Sequence, residues 1–330
     1  MPKNEVDALI VGAGFSGMYM LYALLKLGLD VCVIEEATDV GGTWYWNRYP
    51  GARCDIMSMD YSYSFSEELQ QEWNWTHKYS TQPQILDYAG YVADKFELRP
   101  NIVLDTRVLS AKYDESAKRW HVVTDGRLDY STKYLIMATG TLSAVNKPNF
   151  EGLGSYEGEW YSTGRWPKHD VDFAGKTVGV VGTGSSAIQA IPVIAKQAKQ
   201  LTVFQRTANY SVPAHNRLLE PDEITNIKTN YSYYRARAKQ NKAGNAFARI
   251  GTQSALEIGQ QERIKEYENR WEEGGLGFGS AYTDLGTNMD ANETAAEFVR
   301  AKIRELVHDP KIASLLSSKC HRMQAFVCGY

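Results

Sequence analysis

The chain opens on an apolar run, Ala8-Leu-Ile-Val11, that stops at the closely spaced Gly12, Gly14 and Gly17 and continues into Met18, Leu21, Leu24 and Leu25. A short unbroken apolar run predicts a buried strand, and apolar residues at helical spacing predict a helix with one buried stripe. Gly28 stands where that helix would end. A second strand, Val31-Cys-Val-Ile-Glu35, closes on an acid. An amphipathic helix opens at Gln82 and runs toward Phe96. Strands follow over 108–113, 120–124 and 134–139, with a hairpin turn at Asp125-Gly126. Residues 150–167 are rich in glycine and aromatics and read as a linker. The opening theme then returns: a strand over 177–181, small residues at Gly182, Gly184 and Ala187, an apolar stripe at Ile188, Ile191 and Ile194, and a strand over 201–205. Beyond Pro221 the chain is charged and helical, with helices expected near 222–242, 254–273 and 291–308, the second ended by Gly274 and Gly275.

A strand, a glycine turn and a helix form a seat for a dinucleotide pyrophosphate. Gly12 permits the turn, Gly14 lets phosphates approach the backbone, and Gly17 lets the helix lie close to the sheet, with Glu35 placed for a ribose hydroxyl. An empty tight turn has the same glycines, but the second strand and its acid favour the dinucleotide reading. In the repeat, the strand is followed by Arg206 and Thr207 in place of an acid. A guanidinium pairs with a ribose phosphate that a carboxylate would repel, so the second site reads as one for NADP. Two such units in one chain point to electron transfer between two cofactors, FAD on the first and NADPH on the second.

At 330 residues the chain is long enough for two domains with real cores. A formal net charge of -3 and a pI near 6.1 give no electrostatic case for nucleic acid or acidic membranes. No stretch reads as a transmembrane span or a secretion signal, so a cytoplasmic protein is expected. The four cysteines, Cys32, Cys54, Cys320 and Cys328, show no metal-ligand spacing, and no metal site is expected. No close cysteine pair follows the first turn, which argues against a flavin disulfide reductase. Glycines beside large aromatics at Gly41-Gly-Thr-Trp-Tyr-Trp46 suit either a loop over a flat ring or an ordinary aromatic minicore. The aromatics between 61 and 79 read as a wall.

The stretch Gly41-Gly-Thr-Trp-Tyr-Trp-Asn-Arg-Tyr-Pro-Gly-Ala-Arg-Cys-Asp55, the linker from Phe150-x-Gly152 through Tyr156-x-Gly158 to Trp166-Pro167, and Gly182-Thr-Gly-Ser-Ser-Ala together resemble Baeyer-Villiger monooxygenases of the phenylacetone and cyclohexanone type, from about residue 5 to about residue 315. The resemblance implies an α/β fold of two Rossmann-like dinucleotide-binding domains with a helical insertion. The N-terminal part of the FAD domain would occupy 1–145, a linker with the monooxygenase fingerprint 146–170, and an NADP domain 171–330. It further implies that NADPH reduces FAD, that a peroxyflavin attacks a ketone, and that the product is an ester or lactone. The expected partners are therefore a small ketone and O2, with no nucleic acid and no membrane.

Carried across, the resemblance makes Asp55 the active-site aspartate; as a plain loop carboxylate it would cap nearby N–H groups instead. Gly12, Gly14, Gly17 and Glu35 would hold the adenosine half of FAD. Gly42, Thr43, Trp44 and Tyr45 would line the path to the flavin, with Asp55, Tyr61 and Val108 as further contacts. Gly182, Gly184, Ser185, Ser186, Gln189, Arg206 and Thr207 would bind NADP. Two departures stand out. Ser162 occupies the fingerprint's histidine position, and a serine carries no charge. From Ser318 to Tyr330 the text no longer matches, and no residue answers to the family's active-site arginine. Members of the family continue further and return to complete the FAD domain, so that domain is expected to be incomplete here, with weak FAD retention and little ketone oxidation by this chain alone. A heteroatom-oxidising flavin monooxygenase and a non-catalytic NADP-binding remnant are the alternatives.

Overall fold

The computed structural model describes residues 4–126, 128–206, 210–317 and 326–328. They fall into two units, residues 1–49 with 82–170, and residues 50–81 with 171–330.

The first unit is built on a six-stranded sheet. Its elements are β1 (Glu5–Val11), α1 (Phe15–Lys26), β2 (Val31–Ile34) and the short helix α2 (Thr43–Trp46). Residues 50–81, with α3 (Glu67–Glu72), then belong to the second unit. The chain resumes in the first with α4 (Gln82–Lys95), β3 (Ile102–Val103), β4 (Val108–Asp114), β5 (Arg119–Thr124) and β6 (Tyr130–Met137). Strand order is β3-β2-β1-β6-β5-β4, with parallel pairing from β3 to β6 and antiparallel pairing from β6 to β4. All four residues of β2 are buried, as expected for a parallel strand covered on both faces. Met18 and Leu21 of α1 are fully buried against Ala8, Ile10, Val31 and Val33.

The end of α1 follows from one glycine. Gly28 has φ +76°, its N–H donates to Leu25 O at 2.9 Å, and the Leu29 N–H donates to Leu24 O at 3.3 Å, which satisfies the last carbonyls of the helix. The last strand starts earlier than its apolar stretch. Thr132 is fully buried, and its hydroxyl lies 3.0 Å from both Asp7 O and Tyr134 O, so a polar residue is accommodated in the sheet. The expected linker, 150–167, has no strand and only two short 3-10 turns, Leu153–Ser155 and Thr163–Arg165.

In the second unit, β7 (Thr177–Val181), α5 (Ser185–Ala195) and β8 (Gln200–Phe204) form the repeated strand-turn-helix-strand, with β7 and β8 parallel. Helices α6 (Pro221–Thr229) and α7 (Tyr231–Gln240) replace the single helix expected over 222–242. The break is at Asn230, whose φ and ψ of -111° and 20° leave helical geometry while its side chain bonds back to Asn226. Helix α8 (Gln260–Glu273) starts later than expected because Ser254 and Ala255 are drawn to the Asp284 carboxylate, at 2.6 and 2.9 Å. Helix α9 (Met289–Leu306) begins at Asn288, whose side chain accepts from the Asp290 and Ala291 N–H groups. Tyr267, Trp271, Phe278 and Phe298 pack ring against ring at the centre of this helical region.

Candidate functional site

Three local arrangements carry the residues singled out in the sequence. The first is the turn from β1 into α1. Gly12 has φ +106°, and a Cβ there would lie 2.6 Å from Ala138 O. A Cβ on Gly17 would fall 1.8 Å from Gly12 O, so the helix closes onto its own turn only without side chains. Gly14 is the N-cap of α1 and brings no side chain to the helix start. Facing it is Gly42, at φ +55°, where a Cβ would stand 2.9 Å from Gly14 Cα. Two backbone segments thus meet at the helix N-terminus, where peptide dipoles favour an anion.

Glu35 is buried at the end of β2, and its carboxylate holds this turn in place. It accepts from the Ala13 N–H at 2.6 Å and from the Ala37 N–H at 2.8 Å. Each carboxylate oxygen retains acceptor capacity, so the same acid can receive ribose hydroxyls. The residues present therefore fit a dinucleotide: a bare N-terminus, a close backbone approach and a fixed acid.

In α2, Trp44 and Tyr45 are buried, Trp46 is half-buried and Thr43 is exposed. The Gln82 side chain donates to Trp44 O, and Tyr45 Oη lies 2.6 Å from Thr38 Oγ1. Burial tends to raise the Tyr45 phenol, but hydrogen bonds from Lys168 and Thr38 outweigh it and lower the pKa. Val108 opens β4 opposite Thr124 beside a strand irregularity, against Val6, Leu9, Cys32 and Ile34.

The second arrangement is the turn from β7 into α5. Gly182 has φ +104° and Gly184 is the N-cap; a Cβ at either would meet nothing within 4 Å. This turn is open where the first is packed. Ser185 and Ser186 begin α5, and Arg206 is exposed just past β8. Thr207 lies outside the described residues. An open helix start with two hydroxyls fits a phosphate-bearing ligand.

The third arrangement brings together Asp55 and Gln189. Gln189 is 2% exposed on α5. Its Nε2 donates to Asp55 Oδ1 at 3.0 Å and to Arg53 O at 3.2 Å, while its Oε1 accepts the Arg53 N–H at 3.2 Å. One amide therefore holds the loop by its backbone and by its carboxylate. The approach needs Gly51, at φ +80°, where a Cβ would lie 2.3 Å from Gln189 O. Burial pushes Asp55 up to about 6, against the opposing pull of the Gln189 hydrogen bond and the Arg53 charge. Burial also pushes the Cys54 thiol up to about 12, and pushes Tyr79 up to about 12 with help from the nearby Asp55 and Cys54. Asp55 is thus a carboxyl that changes charge near neutrality among groups that stay protonated. Tyr61 is half-buried, its N–H donating to Met57 O at 3.0 Å.

Sequence reasoning named Asp55 and Gln189 separately and missed that they touch. It also missed the parts played by Gly51, Arg53, Thr38 and Gln82, of which only the Pro50-Gly51 pair gave a local signal, that of a turn. Among the described residues, no three His, Cys, Asp or Glu side chains gather as a metal site, and no helix is long and apolar enough to cross a membrane.

Residues 9–275 match the profile of the pyridine nucleotide-disulphide oxidoreductases. The chain belongs to this family. Among the described residues of the chain, Cys32 and Cys54 are buried free thiols on separate segments. Its relatives bear out the resemblance to Baeyer-Villiger monooxygenases. A Baeyer-Villiger monooxygenase of Pseudooceanicola batsensis is 40% identical over 98% of this chain and 60% of its own length. A steroid monooxygenase solved with NADP is 48% identical with a TM-score of 0.93, over 98% of this chain and 62% of that one. The OTEMO complex with FAD and NADP is 35% identical with a TM-score of 0.92, again over 98% and 62%. The chain thus spans about three-fifths of the length of these relatives, 60 to 62%.

Proposed function

We propose that the chain binds FAD at the first glycine turn and NADP at the second, and serves an NADPH-dependent oxygenation that inserts one atom of O2 beside a ketone carbonyl to give an ester or lactone. In this reading residues 1–145 are the FAD-binding part, 146–170 the linker and 171–330 the NADP-binding part. Gly12, Gly14 and Gly17 seat the FAD pyrophosphate, Glu35 takes the ribose, and Gly42 with Thr43, Trp44 and Tyr45 walls the groove, with Tyr61 and Val108 as further contacts. Gly182, Gly184, Ser185 and Ser186 seat the second pyrophosphate, and Arg206 and Thr207 receive the extra phosphate of NADP. Bound FAD, once reduced by NADPH, supplies the activation of dioxygen.

The observation that carries the reading is the Gln189 clamp. The helix that starts at the NADP turn also fixes Asp55, whose carboxyl holds or releases a proton at Oδ near neutral pH. Gln189 holds that carboxyl in one orientation through its bonds to the Arg53 backbone. Trp44 and Tyr45 are buried, and in this reading their rings would keep water from the flavin. A cytoplasmic setting belongs to the same reading, because NADPH is available there and thiols such as Cys32 and Cys54 stay reduced.

The test is a pair of titrations on the purified chain, FAD followed by flavin fluorescence and NADP by calorimetry, with a ketone such as cyclohexanone then assayed for lactone. Saturable, independent binding of both cofactors is expected, with FAD bound weakly and little lactone formed, and with NADP binding weakened in Arg206→Ala. Binding of NADP alone supports a remnant, and binding of neither overturns the reading.

A further inference from the structure

Residues 163–168, at the end of the linker, are held against α2 by two cations. The Arg165 guanidinium carbon stands 3.9 Å from the centroid of the Trp46 ring. Its Nη2 donates to Ser143 O at 3.1 Å and lies 3.9 Å from the Glu36 carboxylate. Lys168 Nζ donates to Thr38 Oγ1 at 3.0 Å and sits 5.1 Å from the centroid of the Tyr45 ring. Thr38 in turn bonds the Tyr45 hydroxyl through both its side chain and its N–H. Tyr45 and Trp46 meet edge to face, with centroids 4.8 Å apart.

A helix of four residues cannot sustain itself, because the cost of nucleating it exceeds what so few internal bonds return. Its N-cap, Gly42, contributes no capping side chain and has a backbone conformation that few residues adopt. The position of α2 is therefore set by its tertiary contacts: the Gln82 side chain on Trp44 O, the Gly41 N–H on Ala13 O, and the two cations on its rings. That position matters, since Gly42 is the residue that closes on Gly14 at the first helix start. Arg165 Nη1 is buried with no hydrogen-bond partner among the described residues. An unmatched buried donor is unfavourable, and the stacking of the guanidinium on the indole offsets it.

We propose that Arg165 and Lys168 are positioning residues that hold α2 where it receives a dinucleotide at the first glycine turn, so that attachment of the linker and affinity for that ligand rise and fall together. The identity of the ligand as FAD rests on the function proposed above; the hold on α2 does not. In this chain the fingerprint position Ser162 opens the turn, accepting the Arg165 N–H at its carbonyl and making no side-chain cap bond, and Arg165 and Lys168 are the side chains by which this end of the linker grips α2.

The test uses the full chain with Arg165→Leu and Lys168→Met, singly and together, and reads two quantities: amide hydrogen exchange over residues 41–49 without ligand, and the FAD dissociation constant. The double variant is expected to exchange faster over 41–49 and to bind FAD about tenfold more weakly, with its urea midpoint little changed. Arg165→Lys keeps a cation on the ring and is expected to recover part of the loss. In a Trp46→Leu background, adding Arg165→Leu is expected to have a smaller effect than in the wild type, because the partner ring is already gone and only the contacts with Ser143 O and Glu36 are left to lose. Unchanged exchange over 41–49 in the double variant overturns the proposal, as do fully additive effects of Arg165→Leu and Trp46→Leu. A wild-type chain that binds no FAD overturns the FAD reading instead, and the exchange data still decide whether the hold on α2 exists.

Discussion

Replacing Gln189 with leucine removes three hydrogen bonds at once, and one of them bears on a charge. Burial raises the Asp55 carboxyl from 3.8 to about 6, and the 3.0 Å bond from Gln189 Nε2 is the first of the influences that keep it from rising higher. A hydrogen bond to a charged group contributes about 1.5–3 kcal/mol, which at about 1.36 kcal/mol per unit is about one to two pH units. The carboxyl in Gln189→Leu should therefore titrate at about 7 to 8. Side-chain carboxyl NMR on protein labelled at aspartate reads the midpoint directly. The same shift has a signature in stability. A carboxyl with a raised folded pKa binds its proton more tightly in the native state, so its contribution is greatest below pH 3.8 and is lost as pH rises through the folded midpoint near 6. The loss is at most about 3 kcal/mol, and less after solvent screening because the group is partly exposed. Urea unfolding across that pH window should show the slope in the wild type, a wider window in Gln189→Leu and a flat profile in Asp55→Asn. A Gln189→Leu midpoint that stays at about 6 or falls would refute the reasoning.

Three further outcomes can be stated from the glycine turns and their acid. Gly184→Ala is expected to fold as well as the wild type, since φ is -76° and a Cβ meets nothing within 4 Å, yet to lose NADP affinity by calorimetry; unaltered NADP binding would count against the open turn as a phosphate seat. Gly42→Ala places a Cβ 2.9 Å from Gly14 Cα at φ +55° and is expected to lower the unfolding free energy by about 1–3 kcal/mol, together with loss of FAD retention. Glu35→Gln sets an amide group against the Ala13 and Ala37 N–H donors and should cost about 1–3 kcal/mol in a urea titration.

What the sequence made legible was local. The strands and helices around both turns are within a few residues of expectation, because Gly12 and Gly182 supply positive φ, +106° and +104°, and Gly17 must clear Gly12 O, demands that arise within the turns themselves. The expected helix over 222–242 is broken because Asn230 prefers to bond back to Asn226, a competition that apolar spacing does not register. The contact between Gln189 and Asp55 spans 134 positions and depends on Gly51 being bare. Neither residue carries a local pattern for it, since a buried glutamine and a loop aspartate read alike with or without a partner. The aromatic stretch at Trp44 to Trp46 was ambiguous for the same reason: its packing partners Thr38, Gln82, Arg165 and Lys168 come from three other segments.

Gln189 stands one helical turn beyond Ser185, so a single stiff rod carries both the seat for an anion and the grip on Asp55. A ligand that drew that rod by about a few tenths of an ångström would lengthen the grip, and the carboxyl would answer by taking up a proton. Reciprocity then fixes the bargain from the other side: acidifying the solution tightens the ligand by the same factor by which the ligand shifts the titration. Under the proposed function, the chain would thus count protons as it loads NADP.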